Sequence, residues 1–247
     1  MKRPAQFMIE RGAIRDGVAI MTGAELHHMR DVVRMRPGAP VTLIDDAGVT
    51  YEGTIGRFET GRAIIELARA SRAARAMPLI TLAAAIVKGA RMDYLVEKAA
   101  ELGANVLIPL IAERGVVREP GAARLDRWRR LAAAAAKQSL APFAMRVGDP
   151  IAFADLIRNV PDGTLCLVLD ESAPPLGVSI REAAPDALLM MCGPEGGFSA
   201  NELADARAAG FATAGLGSRR LRCETAALAS LSVAAAALDE ISQAAEG

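Results

Sequence analysis

The chain has 247 residues, 52% of them hydrophobic and 23% charged, with a formal net charge of zero. That length and apolar content suit one or two folded domains with real cores and exclude a disordered polyelectrolyte. Charge or glycine breaks the apolar stretches before the roughly 18 residues a membrane span needs, and no apolar run follows the basic Met1-Lys2-Arg3 start, so no membrane partner and a cytoplasmic location are expected.

Cys166, Cys192 and Cys223 form no CxxC pair, and His27 and His28 are the only histidines, so no metal site of common type is expected. Thiols in this number also suit a reducing compartment, where they serve as small apolar residues. The neutral total hides an asymmetry. Residues 1–75 carry 12 Lys/Arg against 9 Asp/Glu, net +3, and the remainder is net −3. A basic front on an acidic body would steer a polyanion to one face, although a plain solvated surface accounts for it about as well.

The first seventy residues alternate β-like runs with turns: Pro40 to Ile44, Val49 to Ile55 and Ala63 to Leu67, separated by Asp45-Asp46-Ala47-Gly48 and Thr60-Gly61. This pattern predicts a small antiparallel barrel. One helix, Ala24 to Arg34, interrupts it, with Leu26, Met29 and Val33 at helical spacing and Pro37-Gly38 as the stop. The Ala- and Arg-rich segment Ala68 to Met77, closed by Pro78, is the expected boundary, giving domains 1–72 and 76–247.

From Leu79 short apolar strands alternate with longer helices, the grammar of an α/β domain with a mainly parallel sheet. The predicted strands are Ile80–Ala85, Val106–Leu110, Leu165–Leu169 and Leu188–Cys192. The predicted helices are Met92–Leu102, Arg124–Leu140, Ala200–Ala209 and Thr225–Ile241, the third opened by a Ser199/Glu202 capping box.

Two loops carry the chemistry. Gly193-Pro194-Glu195-Gly196-Gly197 joins a buried-type strand to the capped helix, the position at which open α/β sheets bind ligands with exposed backbone groups. A tight turn with no ligand is the plainer account of that loop alone. It lacks the Lys-Ser/Thr of a phosphate-binding loop and the spacing of a dinucleotide fingerprint. The second loop, Gly215 to Glu224, holds Arg219, Arg220 and Arg222 beside one acid, more cation than packing requires. It suits an anionic ligand or a charge-paired substrate; a solvated basic turn is the alternative.

Together, Gly193-Pro194-Glu195-Gly196-Gly197-Phe198-Ser199 and Leu216-Gly217-x-Arg219-x-Leu221-Arg222-x-Glu224-Thr225-Ala226 resemble the paired signatures of the RsmE-type 16S rRNA uridine-N3 methyltransferases, of the SPOUT class. Further matches are His27-His28-x-x-x-Val32-Val33-Arg34, Lys88 with Lys98-Ala99-Ala100-Glu101-Leu102-Gly103 and Pro109, and Gln138-Ser139 after Trp128. The resemblance covers nearly the whole chain. It departs at Ser218, where proline is usual, at Arg220, where an aliphatic residue is usual, and at Ala100 and Leu140.

The resemblance implies a PUA-like RNA-binding β-barrel, followed by a SPOUT α/β domain in which a parallel sheet is flanked by helices and the chain forms a trefoil knot. It also implies S-adenosylmethionine as cofactor, 16S rRNA of the small ribosomal subunit as partner, and a homodimer. By analogy the cofactor contacts fall on Gly193, Glu195, Gly196, Leu216, Gly217, Leu221 and Arg222. Their neighbours Met191, Cys192, Pro194, Gly197 and Thr225 join them, with Leu169 offering a third side. RNA contact is assigned by the same analogy to His28, Arg30, Arg34 and Arg36, with packing as the plainer role of the histidines.

Methylation at N3 requires an unpaired base and either a base for its proton or a cation for the charge building on O2 and O4. Arg222 is the candidate cation and Glu195 or Glu224 the candidate base. A structural role for either acid, loop orientation or pairing near a helix N-terminus, weighs equally. The rival functions are a SPOUT methylase with another RNA base or a ribose as target, and a non-catalytic RNA-binding assembly factor.

Overall fold

A computed structural model describes residues 4–45, 49–72, 78–117, 119–139 and 144–246. The expected turn at 46–48, the second half of the expected boundary segment and Leu140 lie outside these residues. Contacts divide the chain into one unit of Met1–Ala76 with Ala136–Ala144 and another of Met77–Ala135 with Met145–Gly247.

In the first unit, strands β1 (Ala5–Ile9), β2 (Ile14–Arg15), β3 (Val18–Met21), β4 (Pro40–Asp45), β5 (Val49–Glu59) and β6 (Arg62–Arg72) form one curled sheet in the order β1-β4-β5-β6-β3-β2. The sequence names three of the six and expects antiparallel pairing throughout; β1 instead runs parallel to β4. β5 and β6 extend to 11 residues each, because the register shifts at Glu52/Gly53 and Ile55/Arg57 are bulges within a strand and not strand ends. Glycine is required at the first of them: a Cβ on Gly53 would lie 2.7 Å from the Glu66 carbonyl oxygen. Such bulges bend and twist the sheet, so that Phe7, Leu43, Ile55 and Ile65 close around one core. β6 also runs through the first part of the segment expected to be a linker.

The single predicted helix becomes two pieces, α1 (Gly23–His27) and a π-helical turn at His28–Val32, where the Val33 amide donates to the His28 carbonyl at 2.9 Å. Leu26 and Met29 are buried as the spacing predicts, but the widened turn rotates Val33 outward, leaving it 44% exposed.

The second unit is a parallel sheet of β7 (Leu79–Ala85), β8 (Val106–Ile111), β9 (Arg146–Val147), β10 (Ile151–Ala152), β11 (Thr164–Leu169), β12 (Ala187–Cys192) and β13 (Ala212–Ala214). Its order is β10-β8-β7-β12-β11-β13, with β9 on β8. Helices α2 (Ala90–Glu101), α3 (Gly121–Ser139), α4 (Phe153–Arg158), α5 (Leu176–Ala183), α6 (Ala200–Ala208) and α7 (Cys223–Glu246) flank it. The four predicted strands and four predicted helices are all present. The short β9, β10 and β13, and the helices α4 and α5, were not predicted as elements.

Burial on both faces explains the near-continuous apolar strands. Along β12, Leu188, Met190 and Cys192 join the core under α2, α5 and α7, while Leu189 and Met191 join the core on the other side, with Phe153, Phe198 and Ala206. By length and hydropathy α7 is a helix that could cross a membrane, yet Ala227, Leu231, Ala234 and Leu238 are buried in the sheet core.

One crossing is unusually close. The Gly215 amide donates to the Pro174 carbonyl at 2.6 Å and the Leu176 amide donates to the Gly215 carbonyl at 2.9 Å. A Cβ on Gly215 would lie 2.5 Å from the Ala173 carbonyl oxygen. Gly215→Ala is therefore expected to destabilise the protein by roughly 1–3 kcal/mol, read as a lower denaturant midpoint at unchanged slope; an unchanged midpoint would show that the crossing relaxes freely.

Candidate active site

β11, β12 and β13 end on the same side of the sheet, and the loops leaving them enclose a cleft of about 370 Å³. That volume lies within the range of small-molecule and cofactor sites. Each loop has its own local cause.

The Gly193–Ser199 loop leaves β12. A Cβ on Gly193 would press on the Phe198 ring at 3.2 Å, a tight contact, and Gly197 turns the chain at φ +67°. Phe198 is buried against Phe153, with ring centroids 5.1 Å apart. The capping box forms as predicted: the Glu202 amide donates to Ser199 Oγ at 3.2 Å, and the Ser199 amide to Glu202 Oε2 at 2.8 Å. The other oxygen, Glu202 Oε1, accepts from the Glu113 amide at 2.8 Å, tying the start of α6 to the loop after β8. From that second loop Arg114 donates through Nη1 to the Gly196 carbonyl at 2.9 Å.

The Gly215–Arg222 loop runs from β13 to α7. Gly217 has φ +94°, a conformation side chains rarely adopt, and the Arg222 carbonyl accepts the first bond of α7, from the Ala226 amide at 2.8 Å. Leu169, Asp170, Glu171 and Ser172 close the third side, where the Ser172 amide donates to Asp170 Oδ1 at 2.8 Å.

Of the residues predicted to contact a cofactor, Leu169, Cys192, Gly193, Pro194, Glu195, Gly196, Gly197, Leu216, Gly217 and Leu221 line the cleft. Met191 does not, because strand alternation turns it into the opposite core. Arg222 and Thr225 are exposed beside the cleft without lining it. The cleft floor holds Cys192 and Cys223, both buried, with sulfurs 4.0 Å apart. The hydrogen bond with Cys223, then burial, raises the Cys192 thiol well above its ordinary range, which keeps it neutral and unreactive.

The candidate acids are linked by a residue that sequence reasoning passed over. Arg91, near the start of α2, reaches Glu195 Oε1 at 2.8 Å and lies 3.8 Å from Glu224 Oε2. Glu224 is buried. Glu195 is held below the usual carboxylate range, first by its own backbone amide and then by Arg91, with Arg222 contributing charge. Arg114 and the second bond of Glu202 were missed too. Arg114 had one available signal, as a charged residue just past the carboxyl end of a buried strand.

In the first unit His28, Arg30, Arg34 and Arg36 are exposed. The His28 ring lies edge-on to Phe7 at 5.8 Å, and Arg30 pairs with Asp31 through Nε at 2.9 Å. Arg34 takes φ +59°, a left-handed conformation that ends the π turn. Among the described residues no group of three or more His, Cys, Asp or Glu is placed to hold a metal ion.

A parallel sheet with a glycine-walled cleft at its strand ends, preceded by a curled β unit, is the architecture expected of an RNA methyltransferase of the SPOUT class. Residues 75–235 match the RNA methyltransferase domain model and residues 21–67 the RNA methyltransferase PUA domain model. The chain belongs to the ribosomal RNA small subunit methyltransferase E family. A Bacillus subtilis protein of that name is 30% identical over 223 residues, covering 86% of this chain and 87% of its own. Its Synechocystis counterpart is 30% identical over 86% of this chain and 71% of its own. The Neisseria gonorrhoeae enzyme of the same name, solved with bound S-adenosyl methionine, superposes with a TM-score of 0.73 at 31% identity, covering 93% of this chain and 95% of that one.

Two outcomes follow from this geometry. Glu202→Ala leaves the Ser199 and Glu113 amides without their acceptor and is expected to cost roughly 2 kcal/mol or more, with faster hydrogen exchange at both amides; retained protection would show other acceptors taking over. The Glu195 carboxyl binds protons less readily folded than unfolded, so its contribution to stability is complete above the ordinary carboxylate range and is lost as pH falls through the folded value. The side chain is 44% exposed, so the effect is small. Glu195→Gln should melt below the wild type near neutral pH and converge with it in acid; parallel melting curves at every pH would contradict the pairing.

Proposed function

We propose that the cleft binds S-adenosylmethionine and that the protein methylates N3 of a uridine in 16S rRNA of the small ribosomal subunit. The observation that carries this reading is the convergence of three loops at the ends of β11, β12 and β13 on a cofactor-sized cleft. The names of the relatives support the substrate, and the S-adenosyl methionine in the Neisseria gonorrhoeae enzyme supports the cofactor.

The donor set fits the cofactor. Backbone groups of Gly193, Gly196, Leu216, Gly217 and Leu221 can take an adenine edge, and acids at Glu195, Asp170 and Glu171 suit a sulfonium cation. When bound, the cofactor supplies an electrophilic methyl group. In the transfer a nitrogen–carbon bond forms at N3 as a sulfur–carbon bond breaks, and the N3 proton passes to a carboxylate. Glu195 is our choice for that acceptor, since it lines the cleft while Glu224 is buried behind it. Arg222, exposed beside the cleft and close enough to act on Glu195, would stabilise charge on the uracil oxygens.

RNA capture is assigned to the first unit, with His28, Arg30, Arg34 and Arg36. The substrate places the reaction in the cell interior. A homodimer is proposed on the family resemblance; Val178 on α5 and Val233 on α7 are partly exposed aliphatic residues on neighbouring helices.

Calorimetry should register S-adenosylmethionine binding, and labelled methyl should appear in small subunits as 3-methyluridine after nuclease digestion. Absence of binding would sink the enzyme reading, and label found only in ribose or in tRNA would sink the target. Arg222→Ala should cut turnover far more than cofactor affinity. Gly196→Val should fold, because a Cβ there meets only Arg114 at an ordinary 3.6 Å, yet lose cofactor binding; a reversed pattern would move Arg222 into the cofactor pocket.

A further inference from the structure

Glu224 Oε2 is buried and accepts no hydrogen bond. A carboxylate oxygen in that condition is costly unless something offsets it. Its place in the first turn of α7 offsets part of the charge, because the helix N-terminus is positive. The nearest cation is Arg91 Nη1 at 3.8 Å, beyond hydrogen-bonding distance. That same nitrogen is committed to Glu195 Oε1 at 2.8 Å. One guanidinium thus stands between two carboxylates: a half-exposed one in a glycine loop at the cleft, and a buried one whose Oε2 accepts no hydrogen bond.

The two partners differ in how far they can move. Glu195 follows Gly193 and precedes Gly196 and Gly197, while Glu224 is anchored in α7. Other charges face Glu195 as well. Arg220 donates through Nη2 to its backbone carbonyl at 3.4 Å, Arg222 acts from the same loop, and Asp170 and Glu171 line the cleft with it. Among the described residues only the Arg91 side chain pairs with its carboxylate and also approaches Glu224.

We propose that Arg91 is a positioning residue for methyl transfer: it holds the Glu195 carboxylate while no ligand contacts it, and closes onto Glu224 Oε2 when a ligand takes Glu195 over. The interior carboxylate makes the release cheap, because the bond Arg91 gives up at Glu195 is replaced by one to an acceptor that had none. Arginine suits the role because its planar guanidinium carries several donors from one side chain and stays charged, which a lysine's single ammonium does less well. The inference rests on the proposed function, with Glu195 as the group that meets the substrate.

The test uses the full chain with Arg91→Met, Arg91→Lys and Glu224→Gln. It reads thermal stability, S-adenosylmethionine affinity by calorimetry, methyl transfer to small subunits across pH, and the Glu195 carboxyl titration by carbon-detected NMR without ligand. Arg91→Met should move the Glu195 titration to higher pH and shift the acid limb of the turnover profile the same way. Turnover should fall about 100-fold, while cofactor affinity changes by less than about threefold, the mark of an interaction made in the transition state. Arg91→Lys should recover part of both. Glu224→Gln should leave the Glu195 titration low yet lower turnover, because Arg91 then has no charged second partner.

An unshifted Glu195 titration in Arg91→Met overturns the inference without reference to catalysis. So does a turnover profile that keeps its acid limb, or equal losses of affinity and turnover in a folded variant. If the wild type binds no S-adenosylmethionine, the proposed function falls and takes the transfer role with it, even where the titration shifts.

Discussion

The site depends on the close passage of Gly215 against the Ala173–Leu176 segment. Two backbone hydrogen bonds clamp it, and the carbonyl of Ala173 occupies the space a side chain would need. This contact draws the end of β13 beside the end of β11, so that the loops after them share one wall with the loop after β12. Together with the β11–β13 pairing it fixes where the second loop leaves the sheet edge, beside the loop that carries Glu195.

Rigid and adjustable parts of the cleft are separated by their packing. Phe198 and Glu202 fasten the far end of the glycine loop, through the opposite core and through two backbone amides. Arg114 fastens its middle by the Gly196 carbonyl. Glu195, between these anchors, remains nearly half exposed and is held by its own backbone amide and by the charge pair with Arg91. A side chain so placed can exchange partners at little cost to the fold, which is what a group that meets a transient ligand requires.

The floor of the cleft follows a different rule. Cys192 and Cys223 are buried, the Cys192 thiol is held neutral, and Met191 and Met190 point to opposite cores. These residues border the site in sequence without offering polar chemistry to it. Period-two alternation along β12 sorts them, so adjacency to the glycine loop does not by itself make a residue a ligand contact.

The amino-acid sequence alone determined the division into a β-rich front and an α/β body, the four long strands and four long helices of that body, the capping box, and two of the three loops that form the cleft. Those features are written in local periodicity, in glycine and proline placement and in short motifs, all of which act over a few residues. Tertiary structure decided the rest. The parallel β1–β4 pair, the bulges that make β5 and β6 long, and the π turn that rotates Val33 outward depend on partners distant in sequence. Likewise Arg91 and Glu195 are 104 positions apart, and Glu202 reaches Glu113 across 89. No local pattern encodes such distances, because a salt bridge or a single acceptor is specified by where the backbone of a whole domain brings two charges together.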